Sequence, residues 1–365
     1  MARKNKLLIH RSQQFLILPK MMRLRFFNAL ILLFVLTGCG ATYHYAEFIK
    51  PSKAYIPSKV YYVGVINRAA SEKSTAAIKV NDIPYDYVKG LPTRTAEKTI
   101  ENWKKQVEEI GRYKVIEIEW DLKNRDSKRF AATAFTAQEI DSLCEWHEVD
   151  GILSLDGIEM TINTSGDVEV ISTTDDAGMP VRVPEFTRQQ EVALTVLWRF
   201  YDGYSLKKAN EYQESYRRFF NQLSSNPEEN ANEATDLSLE GIAQVAALDY
   251  AEQVAPYWEE DHRLYYRGHT NDLVVTSDNL EYNGDWQRAA REWKDLVNSD
   301  DEKERYYSRY NMAVASEMLG RPRAGKEWLL KAKEVNHTKQ VDKYMDILER
   351  QILIYDVVDR QLGLQ

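Results

Sequence analysis

Apolar positions along the middle of the chain switch between strand-like runs and helical spacing. Val60-Tyr-Tyr-Val-Gly-Val-Ile66 is a compact β-branched and aromatic run that predicts a strand. From Thr93 to Gly111 the residues Ala96, Ile100, Trp103, Val107 and Ile110 recur at helical spacing, with Thr93 as the expected cap. Tyr113 to Trp120 ends in alternation, Ile116, Ile118 and Trp120 against Glu117 and Glu119, and reads as a strand. Thr136 to His147 predicts a second helix, since Thr136 and Glu139 have capping-box spacing. Gly151 to Leu155 is a further strand that continues through Met160 and Ile162. Ser165-Gly166 is expected to turn it into Val168 to Ile171, and Asp175-Asp176-Ala-Gly178 to turn it again. Glu191 to Tyr201 is the strongest strand signal, closed by Asp202-Gly203. Ala209 to Phe219 returns antiparallel, although Tyr212 and Tyr216 also fit helical spacing. Residues 221–238 read as a polar loop, and Leu239 to Ala255 as a helix stopped by Pro256. Residues 39–58, with Pro51 and Pro57 and no periodicity, read as a tether.

The C-terminal third is helical and repeats itself. Gly284 is followed by Ala289, Trp293 and Leu296, and Gly320 by Gly325, Leu329 and Ala332, at the same offsets. A small residue is needed where two helices touch, and a large one fills the gap between them. A final helix spans Gln340 to Val358. The expected fold class is α+β or α/β: a mixed sheet with flanking helices over residues 59–260, then an all-α region over 261–365.

Charge and cysteine usage bear on the address more than on the fold. The 365 residues carry 48 basic and 56 acidic side chains, a formal charge of -8, with two cysteines. That count excludes a disulfide-built scaffold, and the acidic balance gives no case for nucleic acid as a partner. The first 38 residues hold seven of the basic groups and no acidic one, and Phe26 to Leu36 is apolar apart from Asn28. A basic region followed by a short apolar stretch describes a cleaved signal peptide. Without it the chain carries 41 basic and 56 acidic groups, formally -15. Translation from Met21 or Met22 instead of Met1 would give a signal of ordinary size.

Leu36-Thr37-Gly38-Cys39 resembles the lipobox of bacterial lipoproteins. The resemblance implies cleavage between Gly38 and Cys39, acylation of Cys39, and attachment to the outer membrane through that lipid. No acidic residue follows until Glu47, which favours a periplasm-facing anchor. The order of strands and helices resembles the α/β domain of the TolB amino-terminal region, the curli secretion lipoprotein and periplasmic activators of penicillin-binding proteins. Val65-Ile66-Asn67, Val149-Asp150-Gly151-Ile152-Leu153 and Phe200-Tyr201-Asp202 carry that likeness. The helical region resembles tetratricopeptide units, with Gly325, Leu296, Ser316 and His337 departing from their pattern. Taken whole, the chain resembles a group of outer-membrane lipoproteins of Bacteroides-type bacteria, which implies a fold and a place but no activity. The curli-like likeness alone would imply a secretion pore, yet no long alternating segments obviously supply a barrel.

Candidate chemistry is sparse. Cys144 and His147 share a helix stripe and could pair as nucleophile and base, though a buried Cys is the commoner reading. His44, His262, His269 and His337 form no metal-ligand spacing, and no phosphate-binding glycine loop occurs. Asp150, Asp156, Asp175 and Asp176 fall at strand ends or turns, where a carboxylate pair could run glycan hydrolysis or simply bond to backbone. His262 to His269 is dense in aromatic and basic groups and reads as an interdomain strand, or as a patch for a glycan or acidic partner. Tyr307, Tyr310 and Asn311 share one helix face and either line a peptide groove or cover the α/β domain. The expected function is a non-enzymatic, lipid-anchored envelope adaptor that binds proteins or peptides without cofactor, metal or nucleotide. A hydrolase using the strand-end carboxylates is the alternative.

Overall fold

A computed structural model describes residues 41–69, 78–80, 90–121, 129–174, 178–224, 231–268 and 270–364. Gly38, Cys39, Asp175, Asp176 and His269 lie outside the described residues, as does the signal segment. The chain divides into two compact units. One comprises residues 47–260 with 352–365, the other residues 261–351 with those up to Ala46.

The larger unit is built on a mixed six-stranded sheet. Its strands are β2 (Tyr62–Asn67), β3 (Ile78–Val80), β4 (Lys114–Ile118), β5 (Gly151–Thr174), β6 (Pro180–Asp202) and β7 (Lys207–Ser224). They lie in the order β4-β2-β5-β6-β7, with β3 beside β5. β2 runs parallel to β4 and β5, whereas β5, β6 and β7 are successively antiparallel. Helices α1 (Leu91–Glu109) and α3 (Ala231–Val254) cover one face, and α2 (Ala137–His147) the other. On the first face Leu153, Leu155, Val196, Trp198 and Phe200 pack with Trp103, Ile242 and Tyr250, and the rings of Trp198 and Tyr250 stack at 4.8 Å. Each such side chain, fully buried, contributes about 1.5–3 kcal/mol. On the second face Ile152 and Tyr201 pack with Phe135 and Ile140.

Several boundaries differ from the sequence expectation, each for a local reason. The helix α1 opens at Gly90, with no side-chain cap and a proline in its first turn, rather than at Thr93. Proline fits there because the first amides have no helical partner to lose. The expected turn at Ser165-Gly166 is absent, since both residues pair in register with Gln189 and Arg188 of β6. Of the polar stretch 221–238, residues 221–224 end β7 and residues 231–238 open α3. The strands β5, β6 and β7 span 24, 23 and 18 residues, far longer than the pieces expected. By contrast, the capping box of α2 is present in full, with Glu139 donating its amide to Thr136 and accepting the Thr136 amide.

The tether reading of residues 39–58 is also corrected. Residues Ala41–Lys50 form β1, paired with β8 (Tyr257–Tyr266) in a separate two-stranded sheet. Its burial alternates from Ala41 to Glu47, but with tyrosines on the exposed side. That arrangement conceals the period-two signal.

The smaller unit is helical, built from α4 (Asn271–Asn283), α5 (Trp286–Leu296), α6 (Glu302–Met318), α7 (Pro322–Val335) and the first part of α8 (Lys339–Gln361). Gly284 and Gly320 take left-handed backbone, φ 65° and 72°, at the turns joining α4 to α5 and α6 to α7. Ala289, Trp293, Leu329 and Ala332 are buried between the helices. A Cβ on Gly325 would stand 2.9 Å from the Ala313 carbonyl, so glycine is needed for that close approach. The repeated spacing therefore marks two helical hairpins.

Candidate functional site

The face of Tyr307, Tyr310 and Asn311 is brought together as expected, but it is not an open groove. Asn311 is fully buried, accepts a hydrogen bond from the Tyr266 amide at 2.7 Å and donates one to the Tyr266 carbonyl at 2.6 Å. Tyr307 stacks on the Tyr266 ring at 4.1 Å, and Tyr310 meets it edge-on at 4.9 Å. The side chain does bond an extended backbone, that of the chain's own strand β8. Asn311 is therefore engaged inside the helical unit, by the chain's own strand in place of an external peptide. Arg263, in the same strand, is a core residue that donates twice to Glu317, while Tyr344 donates to Glu317 at 2.8 Å. The run from His262 is thus a strand whose Tyr265 and Tyr266 pack inside the helical unit, not between domains.

Two of the four candidate carboxylates, Asp150 and Asp156, are committed to the fold. Asp150 accepts the amides of Tyr61 and Tyr62 at 2.9 and 2.8 Å and the Tyr204 hydroxyl at 2.7 Å. Burial opposes its charge, but these donors outweigh it and hold its carboxyl below the usual aspartate value. Asp156 lies at a β-bulge, where the register of β5 against β6 shifts between Leu155 and Gly157. A bulge re-aims a side chain. Here Asp156 is clamped between Arg68 at 3.3 Å and Arg199 at 2.6 Å, closed to solvent. Arg199 also binds Glu211 at 2.7 Å and the Ala132 carbonyl at 2.8 Å, and the Arg68 guanidinium lies 3.9 Å over the Phe135 ring. A carboxylate so enclosed has no route to a substrate. Sequence reasoning missed Arg68 and Arg199; Asp156-Gly157 inside a strand was the available signal for the bulge.

Cys144 is half-buried beside Gly203, whose Cβ, if present, would stand 2.7 Å from its sulfur. Burial, then the carboxylates of Asp150, Asp141 and Asp202, push its thiol up to about 11. A catalytic cysteine needs the opposite shift. Among the described residues, no group of three or more His, Cys, Asp or Glu side chains could hold a metal ion. Among them also, no helix is long and apolar enough to cross a membrane.

What remains open is the far end of β5 and β6. β7 reaches only to Phe186, and β3 pairs only Met160 to Ile162. From Glu169↔Glu185 to Thr174↔Pro180 the two strands are paired among the described residues only with each other. This arm is roughly 20 Å long at about 3.3 Å per residue. Val170 is 64% exposed and Met179 62%, with Val181 and Val183 also open. Glu169 and Glu185 stand directly opposite each other, an arrangement that costs stability.

The chain belongs to the family described as Domain of unknown function (DUF8603), whose model matches residues 60–266. A second model, Domain of unknown function (DUF6340), matches residues 276–350. No curated protein matches the chain. Among solved structures, a neuraminyllactose-binding hemagglutinin homologue from Helicobacter pylori is 12% identical, with TM-score 0.27, covering 56% of this chain and 97% of its own. Rare lipoprotein B from Shewanella oneidensis is 13% identical, with TM-score 0.21, over 60% of this chain and 98% of its own. Lipoprotein GNA1162 from Neisseria meningitidis is 14% identical, with TM-score 0.16, over 51% and 98%.

Proposed function

We propose that the protein is a periplasm-facing outer-membrane lipoprotein, anchored through Cys39, that works as a non-catalytic adaptor in an envelope assembly. The observation that carries the adaptor part is the bare β5–β6 arm. A ribbon whose two edges are unpaired among the described residues, with a strip of Ile171, Val181 and Val183, is suited to pairing with a partner strand. The opposed Glu169 and Glu185 favour a partner with a basic residue at that position. Support for the anchor is the sequence of residues 36–39 behind a basic and apolar leader. The hydrolytic alternative is weakened, because Asp150 and Asp156 are both held in structural bonds.

Two experiments test this reading. Labelling with a palmitate analogue should vanish in Cys39→Ala, and persistence of the label would remove the anchor. Replacing residues 170–183 with an Asn-Gly turn should abolish a crosslinked complex recovered from the envelope while the body still folds. Recovery of the same complex from the shortened protein would end the arm's role.

A further inference from the structure

The segment behind Cys39 is not a spacer. β1 begins at Ala41, so a lipid on Cys39 is joined to ordered structure through Gly40 alone. At about 3.3–3.6 Å per residue, that link reaches less than about 10 Å. The headgroup layer on each side of a bilayer is about 5–8 Å thick, so the start of β1 is held in it or within a few ångströms of its edge. What β1 exposes there is aromatic. Tyr43 and Tyr45 are 58% and 65% exposed, while the alternating Thr42, His44 and Ala46 are half-buried. Both tyrosine rings lie against His262 of β8, with centroids at 5.1 and 5.8 Å. On the other side of the strand His44 meets Trp286 of α5 edge-on at 4.8 Å, which fixes the strand to the helical unit. The tyrosines are therefore presented in one orientation on a paired strand. Tyrosine has an apolar ring and a polar tip, the character that suits a membrane–water interface.

We propose that the ribbon face of Tyr43, Tyr45 and His262 lies in the headgroup layer of the membrane that holds Cys39. The helical unit then rests on lipid instead of swinging from a tether. This rests on the lipid-anchor reading above. Exposed Glu47 on the same strand face and the formal charge of -15 make zwitterionic lipid the surface it fits.

The full protein, purified with its own lipid, is reconstituted in phosphatidylcholine vesicles and footprinted with hydroxyl radicals, read residue by residue by mass spectrometry. The reference is the chain from residue 39 carrying Cys39→Ser, in buffer. Oxidation of Tyr43 and Tyr45 should fall on the vesicles to the level of buried Tyr310, while exposed Trp146 and Tyr282 keep their reference rates. Tyr43 and Tyr45 oxidised as in buffer overturn the proposal, and so does equal protection of Trp146 and Tyr282. Protection in buffer that grows with protein concentration also overturns it, because a second copy then covers the ribbon. If the Cys39 peptide carries no acyl mass, the anchor reading fails by itself. A maleimide lipid coupled to Cys39 in a Cys144→Ser chain then restores attachment, and the same tyrosine readout decides the ribbon.

Discussion

Around Asp156, β5 and β6 are covered on both faces: Leu155 and Trp198 face α1 and α3, and Asp156 and Arg199 are closed over by the segment carrying Ala132. Towards Thr174 and Pro180 no described residue of another element pairs with the same two strands, and Val170, Met179, Val181 and Val183 are exposed. One end of the hairpin spends its polar groups on its own fold, and the other leaves its edges and a small apolar strip open. Of the four carboxylates that look like chemistry in the sequence, Asp150 and Asp156 sit at the covered end. They are structural there, so function is better sought at the bare end.

Substitutions that separate the two ends should rank accordingly. Asp156→Ala leaves Arg68 and Arg199 facing an empty site, and should lower unfolding free energy by about 3–5 kcal/mol. Denaturant titration reads this as a lower midpoint at unchanged slope. In Gly203→Ala the new methyl would meet the Asp150 carbonyl oxygen at 2.6 Å, with an expected cost of about 1–3 kcal/mol by the same assay.

Asp150→Asn should cost about 1.5 kcal/mol, the low end for bonds to a charged group because the carboxylate is partly open. Its folded pKa lies below the ordinary value of about 3.9, so its stabilisation is complete above that pH. It is lost as acid takes the pH down through the lower folded value. Stability measured against pH should therefore fall less steeply on the acid side in Asp150→Asn than in the parent. Thr136→Ala removes the capping acceptor of α2 and should cost about 1 kcal/mol. Val181→Ser in the arm should change stability by less than about 0.5 kcal/mol. A large loss there would mean the arm is part of the core and would break the contrast.

Legibility in the sequence followed the same division. The elements of the covered end are readable from an apolar stripe or a capping box: Glu191 to Tyr201, the α1 stripe through Trp103, and the Thr136 box all stand where expected. Gly284 and Gly320 were readable for another reason, since left-handed backbone selects glycine. The arm was not, because with both faces open nothing forces alternation, and Ser165-Gly166 then imitates a turn. β1 was hidden by tyrosines on its exposed side. At the candidate sites, Asp150 stands just before β5 as expected, whereas Asp156 falls at a bulge inside that strand and not at its end, and the partners of neither are foreseeable. Arg68 and Arg199 reach Asp156 only through sheet register, and Asn311 meets Tyr266 only through tertiary packing.

The adaptor claim is tested most directly by a photo-crosslinking amino acid placed in turn at Val181, Val183 and Trp146, irradiated in intact cells. Trp146, exposed on α2 at the covered end, is the control. The account predicts one discrete heavier adduct from Val181 and Val183 and none from Trp146. The same adduct from all three positions, or none from the arm, would contradict it.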